Sequence, residues 1–327
     1  MNLKTKMEKV INKSYGNIGG IVVLKNGETV YENYFNDCNP DSTLHVFSVT
    51  KSIISTLIGV AINQGYIESV DRKVLDFFPD YKVQQGENKI QNIAIRDLLT
   101  MTAPYKYNPR FFTGYSKYFK SQDWVLASLD LLGGKGKIGD FLYTPLIGPD
   151  ILSGILTKAT GKSVLEFASE TLFAPLEIEK KSNVTFKSKE EQMAFNQTRD
   201  RNGWVADPKG INTAGWGLTL TAKEMAKIGQ LYLAGGVWNC KQLVSANWIK
   251  ESTIPHSGSK KMRLTYGYLW WIIDEKERAY AAMGDGGNVI YVNEQKELVI
   301  SIASIFKPRA KDSIKLIREY IEPVFAS

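Results

Sequence analysis

The stretch FSVTKSIISTLIGVAINQGYI, residues 47–67, sets a serine and a lysine one helical turn apart at the head of a long apolar run. Its spacing predicts a helix from about residue 49 to Gly65. Positions i and i+3 share a helix face, so Ser48 and Lys51 can bring hydroxyl and amine together if both point into a cleft. Burial, or a neighbouring positive charge, would lower the lysine pKa and let a neutral amine accept the serine proton. The positive end of the helix would favour negative charge developing at Ser48. The plain alternative is a capping serine beside a solvated lysine, since helix starts favour serine. The pair by itself does not choose between them.

Working outward, GGIVVLKNGETVYENYF, residues 19–35, is an apolar run, an Asn26-Gly27 turn and a second alternating run, which predicts a β-hairpin. Toward the C-terminus, RLTYGYLWWIID, ERAYAAMG, NVIYVN and ELVISIASIF read as successive strands. DSIKLIREYIEPVF follows with helical spacing and should pack on that sheet. The middle has another texture: IAIRDLLTM, DWVLASLDLL, GPDILSGILTKATG and SVLEFASETLF are helical patterns joined by long loops. The expectation is an α/β chain of α+β type, with residues 1–69 and 206–327 forming a sheet domain and 70–205 a mostly helical region inserted into it. KKSNVTFKSKEEQ, residues 180–192, reads as an exposed loop.

Composition narrows the function. The 327 residues are 43% hydrophobic and 23% charged, which describes a globular chain. The most apolar segment, Ile53 to Ile62, is interrupted by Ser55, Thr56 and Gly59 and is too short to cross a bilayer. No secretory pattern opens the sequence as given, so a cytoplasmic location is expected. The net charge of +7 is spread, 41 Lys and Arg among 34 acids, and no basic tail or aromatic RNA motif directs it at nucleic acid. Two distant cysteines, Cys38 and Cys240, fit reduced thiols. With only His45 and His256, neither a histidine-rich metal site nor HExxH is available, and no metal is expected. GGKGKIGD, residues 133–140, has Ile138 where a phosphate-binding loop needs Ser or Thr, and reads as a loop. No GxSxG elbow occurs, and His45, just before the helix, reads as structural.

Several segments then fall in one order. After FSVTK come VLDFFPDY and IAIRDLLTMTA, then GDFLYTP, ILSGILTKATGKSVLEFASETLFAPLEI, AGWGLTLTAKEMAKIGQLYLAGGVW and GDGGNVIYVNEQKELVISIAS. Over most of residues 18–305 this resembles the serine β-lactamase and penicillin-binding-protein-like superfamily, in its class C and esterase-like branch. The resemblance implies an antiparallel sheet flanked by helices, with the active site between it and a helical region. It makes Ser48 the acyl-forming nucleophile, Lys51 its proton partner and Tyr143 a phenol sharing proton transfer with the leaving group. A tyrosine needs a nearby ammonium to serve as a base, so Tyr143 should lie close to Lys51.

The family's third motif, KTG or HxG, corresponds to Asp285-Gly286-Gly287 followed by Asn288. The backbone N–H groups of Asn288 and Ser48 would form the oxyanion hole. Two departures stand out. The family's YxN has become Tyr143-Thr144-Pro145, which lacks the amide, and Asp285 stands where a cation receives a substrate carboxylate. The implied activity is metal-independent and cofactor-free hydrolysis of a small ester, amide or peptide-like substrate. Its alternatives are penicillin binding or β-lactam hydrolysis, and a catalytically weak sensor of the same fold.

Overall fold

The structure, a computed structural model, describes residues 3–107, 115–261 and 263–325. The expected hairpin forms: β1 (Ile18–Lys25) and β2 (Glu28–Tyr34) are joined through Asn26 and Gly27, both left-handed at φ 52° and 82°. Two consecutive positive φ angles make the turn that matches strand twist, and Asn-Gly adopts them at little expense. Six more strands follow late in the chain: β3 (Ser257–Ser259), β4 (Leu264–Tyr266), β5 (Trp271–Asp274), β6 (Ala279–Gly284), β7 (Asn288–Asn293) and β8 (Leu298–Ser304). They join the hairpin in one antiparallel sheet of order β2-β1-β8-β7-β6-β5-β4-β3. The first strand thus pairs with the last, Ile21 opposite Ile302.

The central strands are apolar on both faces because both are covered. Val22, Tyr280, Ile290 and Val299 face an inner core shared with the helices of the middle region, and that core is continuous. Ile21, Ala281, Tyr291 and Ile300 face outward. There they meet Met7 and Ile11 of α1 (Leu3–Ser14), and Leu316 and Ile321 of the C-terminal helical segment.

The opening stretch is α2 (Val49–Asn63), with 13 of its 15 residues buried. It lies against β6 and β7 on one side and α4 (Asp150–Thr160) on the other, with α3 (Trp124–Leu131) beyond. Gly59 permits this depth, since a Cβ there would sit 2.4 Å from the Trp248 ring. Helix α5 (Ala222–Leu233) covers β1, β7 and β8. A short pairing of Leu44–His45 with Thr219–Leu220 ties the chain just before α2 to residues 214–220. Among the described residues no helix is long and apolar enough to cross a membrane.

Two local expectations are corrected. RLTYGYLWWIID is two strands, not one: Gly267 packs so tightly that a Cβ would meet the Ser252 carbonyl oxygen at 2.2 Å, and Leu269 turns left-handed at φ 61°. Residues 180–192 are not simply an exposed loop. Ser182–Val184 pairs with Gly203–Val205, Lys189–Phe195 is a helix, and Lys181 is buried with its amine 2.9 Å from Glu224. The loop reading held for residues 133–140, where Gly133, Gly134 and Gly139 all take positive φ.

Candidate active site

Ser48 immediately precedes α2, and it does not behave as a capping serine. Capping residues hold extended backbone and lend their side chain to the helix's free N–H groups. Ser48 instead has helical angles (φ −67°, ψ −6°), and its side chain makes no capping bond. Phe47 before it carries the bend, at φ 48°, a conformation unfavourable for a bulky residue. Its ring is held between His45 and Phe306, with centroids 3.8 and 5.0 Å away, and the Phe47 carbonyl accepts the Thr50 hydroxyl at 2.6 Å.

The Ser48 hydroxyl lies 2.9 Å from Lys51 Nζ. That nitrogen is also within 2.7 Å of the Pro145 carbonyl oxygen and 2.8 Å of the Gly215 carbonyl oxygen, and the residue is 1% exposed. Burial pushes its pKa from 10.5 down to about 7, while Asp285 and Asp150 pull it back upward. An ammonium would donate to all three oxygens. A neutral amine has two N–H donors and one lone pair. With two backbone carbonyls as fixed acceptors, that lone pair faces the serine O–H, the geometry of a general base.

Tyr143 is brought to this pair: its ring centre is 5.3 Å from Lys51 Nζ, against Trp271 at 5.6 Å and Tyr266 at 6.3 Å between centroids. Two residues on, Pro145 contributes its carbonyl to Lys51 rather than a side-chain amide. The segment ends at Asp150, in the first turn of α4, which is buried and accepts the Ala214 N–H at 2.7 Å and the Tyr118 hydroxyl.

The end of β6 closes the opposite side. A Cβ on Gly284 would lie 2.2 Å from the Val46 carbonyl oxygen and 3.2 Å from the Ser48 nitrogen, so this glycine's backbone abuts the nucleophile. Asp285 follows it, exposed, at the start of a turn in which Gly286 and Gly287 take φ 79° and 92°. Asn288, paired across the turn with Gly284, is buried. Its Nδ2 donates to the Asp285 carbonyl at 2.8 Å and the His45 carbonyl at 3.3 Å, and its Oδ1 accepts Ser304 N–H at 2.9 Å. Asn288 therefore fastens the turn to the segment before Ser48, while the backbone against Ser48 belongs to Gly284.

His45 is no base for Ser48. Its Nε2 accepts the Gly217 N–H at 2.9 Å, so Nδ1 carries the proton and faces Asn196 Oδ1 at 3.0 Å; burial lowers its pKa to about 3. His256 lies elsewhere, stacked on Tyr268. Nothing in the residue identities announces the Pro145 and Gly215 carbonyls, since any residue carries one. Asp150 did leave a trace: it is an acid among the apolar residues of GPDILSGIL, though an acid in a first helical turn is also an ordinary dipole partner.

Comparison with known proteins finds relatives in sequence and in fold. The chain is 24% identical over 305 residues to a 6-aminohexanoate-dimer hydrolase of Paenarthrobacter ureafaciens, an alignment covering 85% of this chain and 70% of that one. The structure of EstCE1, described as a hydrolase with promiscuous acyltransferase activity, superposes with a TM-score of 0.74 at 14% identity, covering 99% of this chain and 97% of its own. A penicillin-binding protein homologue from Caulobacter crescentus gives 0.71 at 15% identity, with 96% and 95% covered. The family model described as beta-lactamase matches residues 5–321, and the chain belongs to that family.

Proposed function

We propose that the protein is a serine hydrolase that cleaves a small ester or amide through an acyl-enzyme on Ser48. The observation that carries this reading is Lys51: a buried amine aimed at the Ser48 hydroxyl by two backbone carbonyls, with its pKa lowered to about 7. In the proposed reaction, neutral Lys51 takes the serine proton as Oγ attacks the substrate carbonyl. The resulting oxyanion is received by the N–H of Ser48 and that of Asp285, the residue following Gly284, in place of the Asn288 N–H expected from the sequence. The proton then passes to the departing alkoxide or amine, with Tyr143 beside Lys51 as the relay. Water attacks the acyl carbonyl, gives its proton back through the same groups, and frees Ser48.

Asp285 favours substrates with an ammonium near the scissile bond over those with a carboxylate, because an exposed acid repels the latter. The Paenarthrobacter relative is named for a dimer of an amino acid, which puts an amide among the substrate classes to test. The test is labelling by a fluorophosphonate and release of p-nitrophenol from short esters, comparing wild type with Ser48→Ala. Both signals are expected to vanish in the variant; labelling or turnover that persists without Ser48 refutes the reading.

A further inference from the structure

The two carbonyls that hold Lys51 come from segments far apart in the chain, the one carrying Tyr143 and Pro145 and the turn at Ala214–Gly215. One side chain spans them. Asp150 ends the first segment at the start of α4, and its Oδ1 receives the Ala214 N–H at 2.7 Å. Its Oδ2 receives the Tyr118 hydroxyl, and the residue is 2% exposed. The two segments are in tight contact here: a Cβ on Gly215 would meet the Pro145 carbonyl oxygen at 2.8 Å and that of Leu146 at 2.9 Å.

We infer that Asp150 is a positioning residue for the general base, locking the Ala214–Gly215 backbone to the Tyr143–Pro145 segment so that both carbonyls point Lys51 Nζ at Ser48. The inference rests on the acyl-enzyme reading above. Two donors, the Ala214 N–H and the Tyr118 phenol, take one oxygen each of one buried carboxylate. An amide of the same shape keeps the Ala214 N–H on its oxygen but turns its NH2 toward Tyr118, so the phenol must reverse to an acceptor and both bonds lose their charge-assisted character. The carboxylate also acts on Lys51 through space. The groups facing Lys51 are Asp150, Asp285 at the end of β6 and the Tyr143 ring; those facing Asp150 are Tyr118 and Asp207. Burial raises the Asp150 pKa to about 7, so its charge changes in the same range as that of Lys51. An ionised Asp150 favours protonated Lys51; neutralising it extends the neutral, reactive amine to lower pH.

The experiment measures Ser48 acylation by a p-nitrophenyl ester from acid to neutral pH in wild type, Asp150→Asn and Tyr118→Phe. For Asp150→Asn we expect kcat to fall about tenfold or more with KM changed less than about twofold. Its acid limb should move down by about half a pH unit or more. Tyr118→Phe keeps the Ala214 backbone bond but removes the phenol, so the carboxylate is less stabilised and the limb should move the same way by less. A purely structural Asp150 would lower Tm in both variants without moving the limb of the folded fraction. Folded Asp150→Asn with a wild-type limb and kcat/KM within about twofold overturns the inference. If Asp150→Asn does not fold, Tyr118→Phe decides by the same criterion. A wild type that shows no Ser48-dependent acylation at any pH instead refutes the acyl-enzyme reading, and this inference with it.

Discussion

At the scale of single residues the site is organised around one buried nitrogen. Lys51 loses its solvent shell in α2, and the lowered pKa follows from burial rather than from a neighbouring cation. Two consequences share one cause. Acylation should rise with pH and level off above about 7, because the working form is the neutral amine. Folding is linked in the opposite sense to a salt-bridged lysine: between about 7 and 10.5 the unfolded chain holds a proton that folded Lys51 has released. Lys51's contribution to stability therefore improves as pH rises through that window. Lys51→Met should abolish esterase activity, and its Tm relative to wild type should be most favourable below about pH 7 and decline toward about pH 10. Paired thermal melts across that range check this; a Tm difference independent of pH would show that Lys51 titrates as a free lysine. The left-handed Phe47 beside Ser48 belongs to the same scale, a strained residue held in place by His45 and Phe306.

At the scale of elements, the site is where the start of α2 meets the end of β6, and the gap between them is set by a missing Cβ. Gly284→Ala should lower kcat/KM about a hundredfold or more, because the methyl would force β6 away from the Val46–Ser48 backbone and spoil the oxyanion donors. The accompanying loss of stability should be about 1–3 kcal/mol, the usual expense of overpacking. Ester kinetics beside urea denaturation separate the two, and near-wild-type turnover would remove β6 from the site. The elements themselves were largely legible: the Asn26-Gly27 hairpin, α2 and the late strands all announce themselves by periodicity and turn chemistry. The proposed oxyanion donor was less so. In GDGGN the glycines allow several registers, and the close packing of Gly284 on Ser48, which favours Asp285 over Asn288 in the proposed mechanism, is visible only in the folded chain. Pro145 was legible as a departure from YxN, but its carbonyl bond to Lys51 was not, since a backbone acceptor leaves no trace in side-chain identity. Asp150 left the trace of an acid in an apolar run, but its pairings were hidden because its partners lie about 30 and 60 residues away.

At the scale of the whole molecule, the chain's first and last strands lie side by side, and the middle region shares the inner core of the sheet they complete. A buried charged contact fastens that region to the sheet's covering helix. Lys181, with a fully buried amine, reaches both oxygens of Glu224 in the first turn of α5 at 2.9 Å. Glu224 also accepts the Thr221 and Glu179 backbone N–H groups. The same carboxylate thus caps the helix and anchors the incoming chain. A lysine inside what reads as a polar surface run is buried because Glu224 compensates it, which composition cannot reveal. Lys181→Met should destabilise by about 3 kcal/mol, as it leaves the carboxylate buried and uncompensated. For a chain of this size that is a drop in Tm of roughly 5 °C. Adding Glu224→Gln should recover part of the loss, since the amide oxygen can still accept a backbone N–H while the stranded charge is gone. Thermal melts of the single and double variants decide it. A double variant less stable than Lys181→Met would mean that Glu224 serves mainly as a helix cap. In that case the ion pair does little to hold the middle region to the sheet.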